Sequence, residues 1–346
     1  MKTTLTRGLL LAGAALATVP PAMAQEVTLK IAHFLPAVAT TQKLVLQPWC
    51  DEMGQLSNGR IKCQFYPSMQ LGGTPAQLPD QVKNGVADIV WTAPGYSTGR
   101  FPKTEALELP GVLPLGGQSG GRAVWDFYGQ QLTDEYKDYK VLAMHGDGGM
   151  NIHTASKPLA SAADFNGVKL RSPNRTIART LKALGATPVA MPPAQVTEAI
   201  AKGVVDGASA VWEVLLPTKL DEVTKFHFET PPDRPVMGAT ILAVLMNKKK
   251  YESLPADLKA IVDKTTGLPL VERYGKAWDE ASVVARNKVK AAPGHSLTVV
   301  SGSQYDAILK QLEVVEKEWL ADARSKGING EALVAAARES ARKQKN

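Results

Sequence analysis

The chain has 346 residues, a formal net charge of +7 and two cysteines. That length suits two domains of ordinary size and is ample for a large buried core. The basic residues are scattered, and the runs Lys248–Lys250 and Arg342, Lys343, Lys345 carry no interleaved aromatics, so they read as solvated faces and not as a nucleic-acid surface.

Met1–Arg7 is short and basic, Gly8–Val19 is apolar, and Ala22-Met23-Ala24 fits an A-x-A cleavage signal. Residues 1–24 therefore read as a secretory signal peptide cut after Ala24. The apolar stretch is too short for a stable membrane span, and no later run is long enough, so the mature chain is expected to be exported and soluble. Processing removes two positive charges, Lys2 and Arg7, from the +7 and leaves +5.

Val27–Phe34 alternates apolar and polar residues and predicts a first core strand. Thr40 or Thr41 caps a helix running to about Leu56, Asn58-Gly59 ends it, and Arg60–Tyr66 is a second strand. Cys50 falls late in that helix and Cys63 on that strand, so the two could meet across one helix-strand unit. An oxidising compartment permits a disulfide between them, worth about 2–3 kcal/mol for so small a loop, with a pair of buried thiols as the alternative. Gly72-Gly73-Thr74-Pro75 opens the next helix with an N-cap and a first-turn proline, and Gly85 closes it. Asp88–Trp91 is a short buried strand. Strand, helix, strand, helix, strand implies parallel pairing with right-handed crossovers, and ligands bind at the carboxyl edge of such sheets. Phe34, Trp91 and Tyr96 are expected at that edge.

Arg122–Leu132 reads as an amphipathic helix and Tyr139–Met144 as a strand. Gly146-Asp147-Gly148-Gly149 interrupts, and Asn151–Ala155 resumes as strand, which suits a hinge between two lobes. The second lobe repeats the plan of the first. Asn84-Gly85-Val86-Ala87-Asp88 is echoed by Lys202-Gly203-Val204-Val205-Asp206, each between a helix and a buried strand. Phe226–Phe228 and Gly238–Met246 read as strands, the latter suited to a sheet centre. A helix capped at Leu254–Asp257 continues to about Lys290 with a kink at Gly267–Pro269. Ser301–Arg324 and Glu331–Arg342 are further packing helices, and Trp278 and Trp319 are assigned to the core.

The chemistry centres on Arg171. It ends the predicted strand Gly167–Arg171 against Ser172-Pro173-Asn174, where a helix to Leu184 begins. A guanidinium beside a helix N-terminus is well placed to hold a carboxylate or phosphate; a local surface ion pair is the alternative. His33 and His153 lie near strand ends and could line a cleft. Gly117-Gln118-Ser119-Gly120-Gly121 matches the nucleophile-elbow pattern of serine hydrolases, but no strand is predicted directly before Ser119, which better suits a cap for a helix beginning near Gly121. The histidines have no metal-ligand spacing, and no cofactor motif stands out.

Several segments together resemble the periplasmic solute-binding proteins of TRAP transporters, the DctP family. They are Phe65–Gly73, Gln81–Trp91, Lys169–Asn174, Leu184–Pro192 and Gly203–Gly207. The resemblance implies an α/β clamp of two lobes with mixed sheets, crossed more than once by the chain and spanned by one long helix. The lobes would comprise 25–149 with about 238–275, and 150–237 with about 276–346. It implies that Arg171 pairs with a ligand carboxylate and that Asn174 matches the family's asparagine beyond the proline. Relatives place a second arginine where this chain has Ile152–His153, and polar residues follow their Asp-Gly pair where this chain has Ser209–Trp212. With Phe34, Trp91, Tyr96 and Trp212 as flat walls, the expected ligand is a monocarboxylate with an apolar or aromatic body, ahead of a C4-dicarboxylate. The expected protein is a periplasmic monomer without a cofactor or catalytic activity, delivering an organic acid to membrane subunits. The competing function is an exported hydrolase using Ser119.

Overall fold

The alternating run Val27–His33 forms strand β1, with Leu29 and Ile31 fully buried. It is followed by β2 (Ile61–Tyr66), β3 (Ile89–Thr92) and β4 (Tyr139–Gly146). Next come β5 (Asn151–Thr154), β6 (Lys169–Ser172), β7 (Thr187–Ala190), β8 (Gly207–Ala210) and β9 (Phe226–Glu229). β10 (Ile241–Asn247) and β11 (Ser296–Val299) close the series. This computed structural model describes residues 26–344, so the expected signal peptide lies outside the described residues.

The strands form two mixed sheets, ordered β2-β1-β3-β10-β4 and β11-β9-β5-β8-β6-β7. β1 pairs in parallel with β2 and β3, and β6 with β7 and β8, each pair joined through helices as parallel pairing requires. Each sheet takes in one antiparallel strand. β10 lies between β3 and β4, and β5 between β8 and β9. The two sheets are thus the same design, linked by three passages of the chain between them, and they form the two lobes of a clamp. β10 is buried along its whole length, in keeping with its unbroken apolar sequence.

The sequence echo has a physical basis. Asp88 accepts the Lys30 amide at 2.8 Å while its own amide donates to the Lys30 carbonyl at 2.9 Å. Asp206 makes the same two bonds to Lys169, both at 2.8 Å. In each lobe this pair of bonds registers the third parallel strand against the first.

The structure sharpens two helical expectations. The helix expected to kink at Gly267–Pro269 divides there into Ala256–Thr265 and Leu268–Ala291. Gly267 takes φ 70° and ψ −138°, a conformation closed to side-chain-bearing residues, and its amide donates to the Leu142 carbonyl at 2.7 Å. Pro269 then sits in the first turn, where its missing N–H costs nothing. The helix Leu268–Ala291 spans both lobes: Tyr274 stacks on Trp91 and Trp278 meets His145 edge-on in the first sheet, while Ala285 and Val289 join the core of the second. The run Ser301–Arg324 likewise breaks at Leu312 into Gly302–Gln311 and Glu313–Ser325. The final helix Gly330–Arg342, which the sequence division groups with the second lobe, packs on Gly117–Phe127 beneath the first sheet, where Ser340 Oγ donates to Asp126 at 2.7 Å. Cys50 and Cys63 form a disulfide with Cα atoms 6.2 Å apart.

Candidate ligand-binding site

Arg171 lies on β6, flanked by β7 and β8, and only 5% of it is exposed. Its Nε donates to the Met191 carbonyl at 3.1 Å and its Nη1 to the Ser209 carbonyl at 3.0 Å. Nη2 is buried without a partner. Two backbone carbonyls therefore fix the plane of the guanidinium and leave one end of the fork open. Burial pulls its pKa down, and the phenol of Tyr96 beside it pulls the other way. A guanidinium remains charged even so. Asn174 sets the chain direction just beyond: its Oδ1 accepts the Ile177 amide at 2.7 Å and caps the helix Arg175–Ala183.

The pocket in front of Arg171 is walled by Phe34, Trp91 and Tyr96 of the first lobe. Phe34 and Trp91 come from the carboxyl ends of β1 and β3, the edge where open α/β sheets take ligands. Phe34 stacks on Trp91 with ring centroids 4.7 Å apart, and Tyr96 meets Phe34 edge-on at 5.3 Å. Among the described residues lining the pocket, Arg171 is the only basic one.

The other expected site residues lie elsewhere. Asn174 lines an adjoining cavity at the mouth, which shares Tyr96 and Pro173 with the pocket. His33 is fully buried beside Trp91, bonded through Nε2 to Gln42 Oε1 at 2.9 Å. His153 is buried in the second sheet, with its Nδ1 2.8 Å from the Nδ1 of His227. Burial and His227 push its pKa well below the ordinary range, so it is a neutral ring and not a second cation. Trp212 covers His153 and donates to Glu229 at 3.0 Å; it does not line the Arg171 pocket but an adjoining cavity that shares Asp147, Val211 and Trp278 with it. Ser119 lies in the first turn of the helix Gly117–Phe127, which starts earlier than the expected Gly121. Its hydroxyl donates to the Leu115 carbonyl at 2.9 Å, and no strand leads into it, so the strained strand-turn-helix of a nucleophile elbow is missing.

Three pocket residues were not singled out from the sequence. Trp278, assigned to the core, does pack there but also faces the pocket, and its indole N–H has no partner. Asp147, read only as part of a glycine hinge, lines the pocket, and burial pushes its pKa up to about 6. Glu213 lines it too, with a pKa pushed up to about 7, again chiefly by burial. The one sequence signal for Asp147 and Glu213 was an isolated acid among glycines or apolar residues. The pocket is thus an apolar slot with one fixed cation and two carboxyl groups poised near neutrality.

The family model for bacterial extracellular solute-binding proteins, family 7, matches residues 31–322. Among solved structures, the chain is similar to a marine metagenome TRAP solute-binding protein specific for aromatic acid ligands, in complex with 3-hydroxybenzoate. The identity is 40% and the TM-score 0.90, covering 93% of this chain and 100% of that one. It is also similar to a TRAP solute-binding protein of Rhodoferax ferrireducens in complex with copurified benzoate, at 36% identity and TM-score 0.89, covering 92% and 98%. A more distant relative is the C4-dicarboxylate-binding periplasmic protein of Rhodobacter capsulatus, 24% identical over 84% of this chain and 86% of that one.

Proposed function

The chain belongs to the bacterial extracellular solute-binding proteins of family 7, the periplasmic ligand-capturing components of TRAP transporters, and from that premise we propose that it captures an aromatic monocarboxylate on Arg171. The observation that carries this reading is the open Nη2 of a buried guanidinium, held in plane by two carbonyls and facing an apolar pocket. A carboxylate supplies the missing acceptor and the missing counter-charge together. Water excluded by closure of the lobes strengthens the pair.

The ligand body follows from what surrounds that cation. Phe34, Trp91 and Tyr96 offer flat apolar faces, and ring-on-ring contact adds about 0.5–1.5 kcal/mol beyond area burial. A second ligand carboxylate would meet no basic side chain among the described pocket residues and would face Asp147 and Glu213 instead. Burying such an ion unpaired costs several kcal/mol, roughly. The similar proteins carrying benzoate and 3-hydroxybenzoate support the aromatic class. TRAP solute-binding proteins work with membrane subunits, and the captured acid is passed to them when the lobes reopen.

Titration calorimetry of the mature chain with benzoate and with succinate at neutral pH tests the proposal. Benzoate should bind more tightly. Tighter succinate binding overturns the ligand class while leaving the family intact.

A further inference from the structure

Glu213 lines the same pocket as Arg171, is 2% exposed, and has neither carboxyl oxygen hydrogen-bonded. Buried polar atoms are nearly always paired, so two orphan oxygens on one side chain require a reason. The groups facing it are few. Thr40, at the start of the first-lobe helix, brings its amide and hydroxyl close enough to ease the charge, yet neither reaches hydrogen-bond geometry. Asp147, from the crossing, adds a like charge. The hydroxyl of Tyr274, on the lobe-spanning helix, is 3.4 Å from Thr41 Oγ1. No cation is among the groups that act on it. Glu213 is therefore not half of an ion pair; it lines the pocket with both carboxyl oxygens buried and unbonded.

We infer that Glu213 is a second recognition point in the pocket, taking a hydrogen-bond-donating substituent, in the first instance a hydroxyl, on the body of the acid whose carboxylate Arg171 holds. This rests on the reading of Arg171 as the carboxylate anchor. A carboxyl group accepts a hydroxyl hydrogen in either protonation state, and the neutral acid can donate in return. A bare ring edge leaves both oxygens unpaired. A second carboxylate on the ligand would repel Glu213 whenever it is ionised. The unpartnered indole N–H of Trp278 in the same pocket adds a donor that a hydroxyl oxygen can accept. A hydroxyl is a single group able to satisfy an acceptor and a donor at once. Sites built around buried polar groups discriminate strongly against analogues lacking the matching group, because those groups are then left unpaired.

Calorimetric titration of the mature chain with benzoate and the 2-, 3- and 4-hydroxybenzoates provides the test. At least one hydroxy isomer should bind about tenfold more tightly than benzoate, the increment expected of one well-made buried hydrogen bond. Glu213→Leu should erase that preference, and Glu213→Gln, whose amide also donates and accepts, should keep part of it. The matching methylbenzoates serve as a size control in the unaltered protein, which decides the matter even if Glu213→Leu fails to fold. Benzoate binding with no preference for any hydroxy isomer, hydroxy and methyl isomers binding equally, or a preference surviving in Glu213→Leu each overturns the assignment of Glu213 alone. If none of these acids binds, the aromatic-acid reading of the Arg171 pocket falls, and this inference with it.

Discussion

The carboxylate of Asp147 accepts the amide of Thr240 at 2.9 Å, joining the point where the chain leaves the first sheet to the point where it returns. Its other oxygen accepts the Gly149 amide at 3.0 Å, and the Met150 amide donates to the Gly238 carbonyl at 2.9 Å beside it. One side chain thus ties together two of the chain's passages between the sheets.

Burial of that carboxyl group makes stability depend on pH. Burial raises the Asp147 pKa from 3.8 to about 6, so the folded state binds the proton more tightly than the unfolded chain. Its contribution is fully present below about 3.8 and is lost as pH rises through about 6. Asp147→Asn cannot ionise. The stability of the variant relative to the unaltered protein should therefore rise by up to about 3 kcal/mol between pH 4 and pH 7. Urea denaturation at four pH values measures the difference, and a difference that stays flat contradicts the assignment.

Arg171→Ala should weaken benzoate binding by about 3–5 kcal/mol, because the ligand carboxylate is buried without a partner. Arg171→Lys should restore only part of it, since a point charge cannot bond Met191, Ser209 and a carboxylate in one plane. Calorimetry with benzoate reads both, and circular dichroism checks that the fold persists. Unchanged affinity in Arg171→Ala would remove Arg171 from the site.

Anion binding should strengthen as pH falls from 8 to 6. The Glu213 pKa, raised from 4.5 to about 7, puts its charge change in that window, and an ionised Glu213 repels an incoming carboxylate. The gain should be on the order of tenfold if the ligand moves that pKa by about one unit. Protons should be taken up on binding, which titrations in two buffers of different ionisation heat will count. Glu213→Gln should reduce the slope, whereas His153→Asn should leave it, because His153 is held neutral away from the pocket. A slope that vanishes in His153→Asn would return the histidine to the site.

The Cys50–Cys63 disulfide closes a sequence separation of 13 residues between a helix and β2. Replacing both cysteines with serine should lower stability by about 2–3 kcal/mol. Neither cysteine lines the pocket, so benzoate affinity should hold. Chemical denaturation of the two forms, with a binding titration on each, separates the effects.

Much of the fold was legible because its causes are local. The alternation in Val27–His33, the N-cap and first-turn proline at Thr74-Pro75 and the helix-ending glycines Gly85 and Gly203 act within a few residues. The Asp88 and Asp206 echo was legible as well, since each follows a helix-ending glycine by three positions. Arg171 stood out for the same reason: it ends a strand where a capped helix starts. Other features depended on partners far away in sequence. Gly267 and Pro269 mark an interruption in any chain, but the full break is held by the Gly267 amide bonded to Leu142, a residue of β4. β11 pairs with β9 across seventy positions, and only that pairing makes its four residues a strand. Trp212 and Glu213 make the point most sharply. They are neighbours on the short helix Trp212–Leu215, and each step around a helix turns a side chain by about 100°. Trp212 turns toward His153 and Glu229, and Glu213 toward the pocket. Four residues are too few to show a periodic face, so the sequence named a ligand wall without saying which neighbour would reach it; the packing of the second lobe against the spanning helix made that choice.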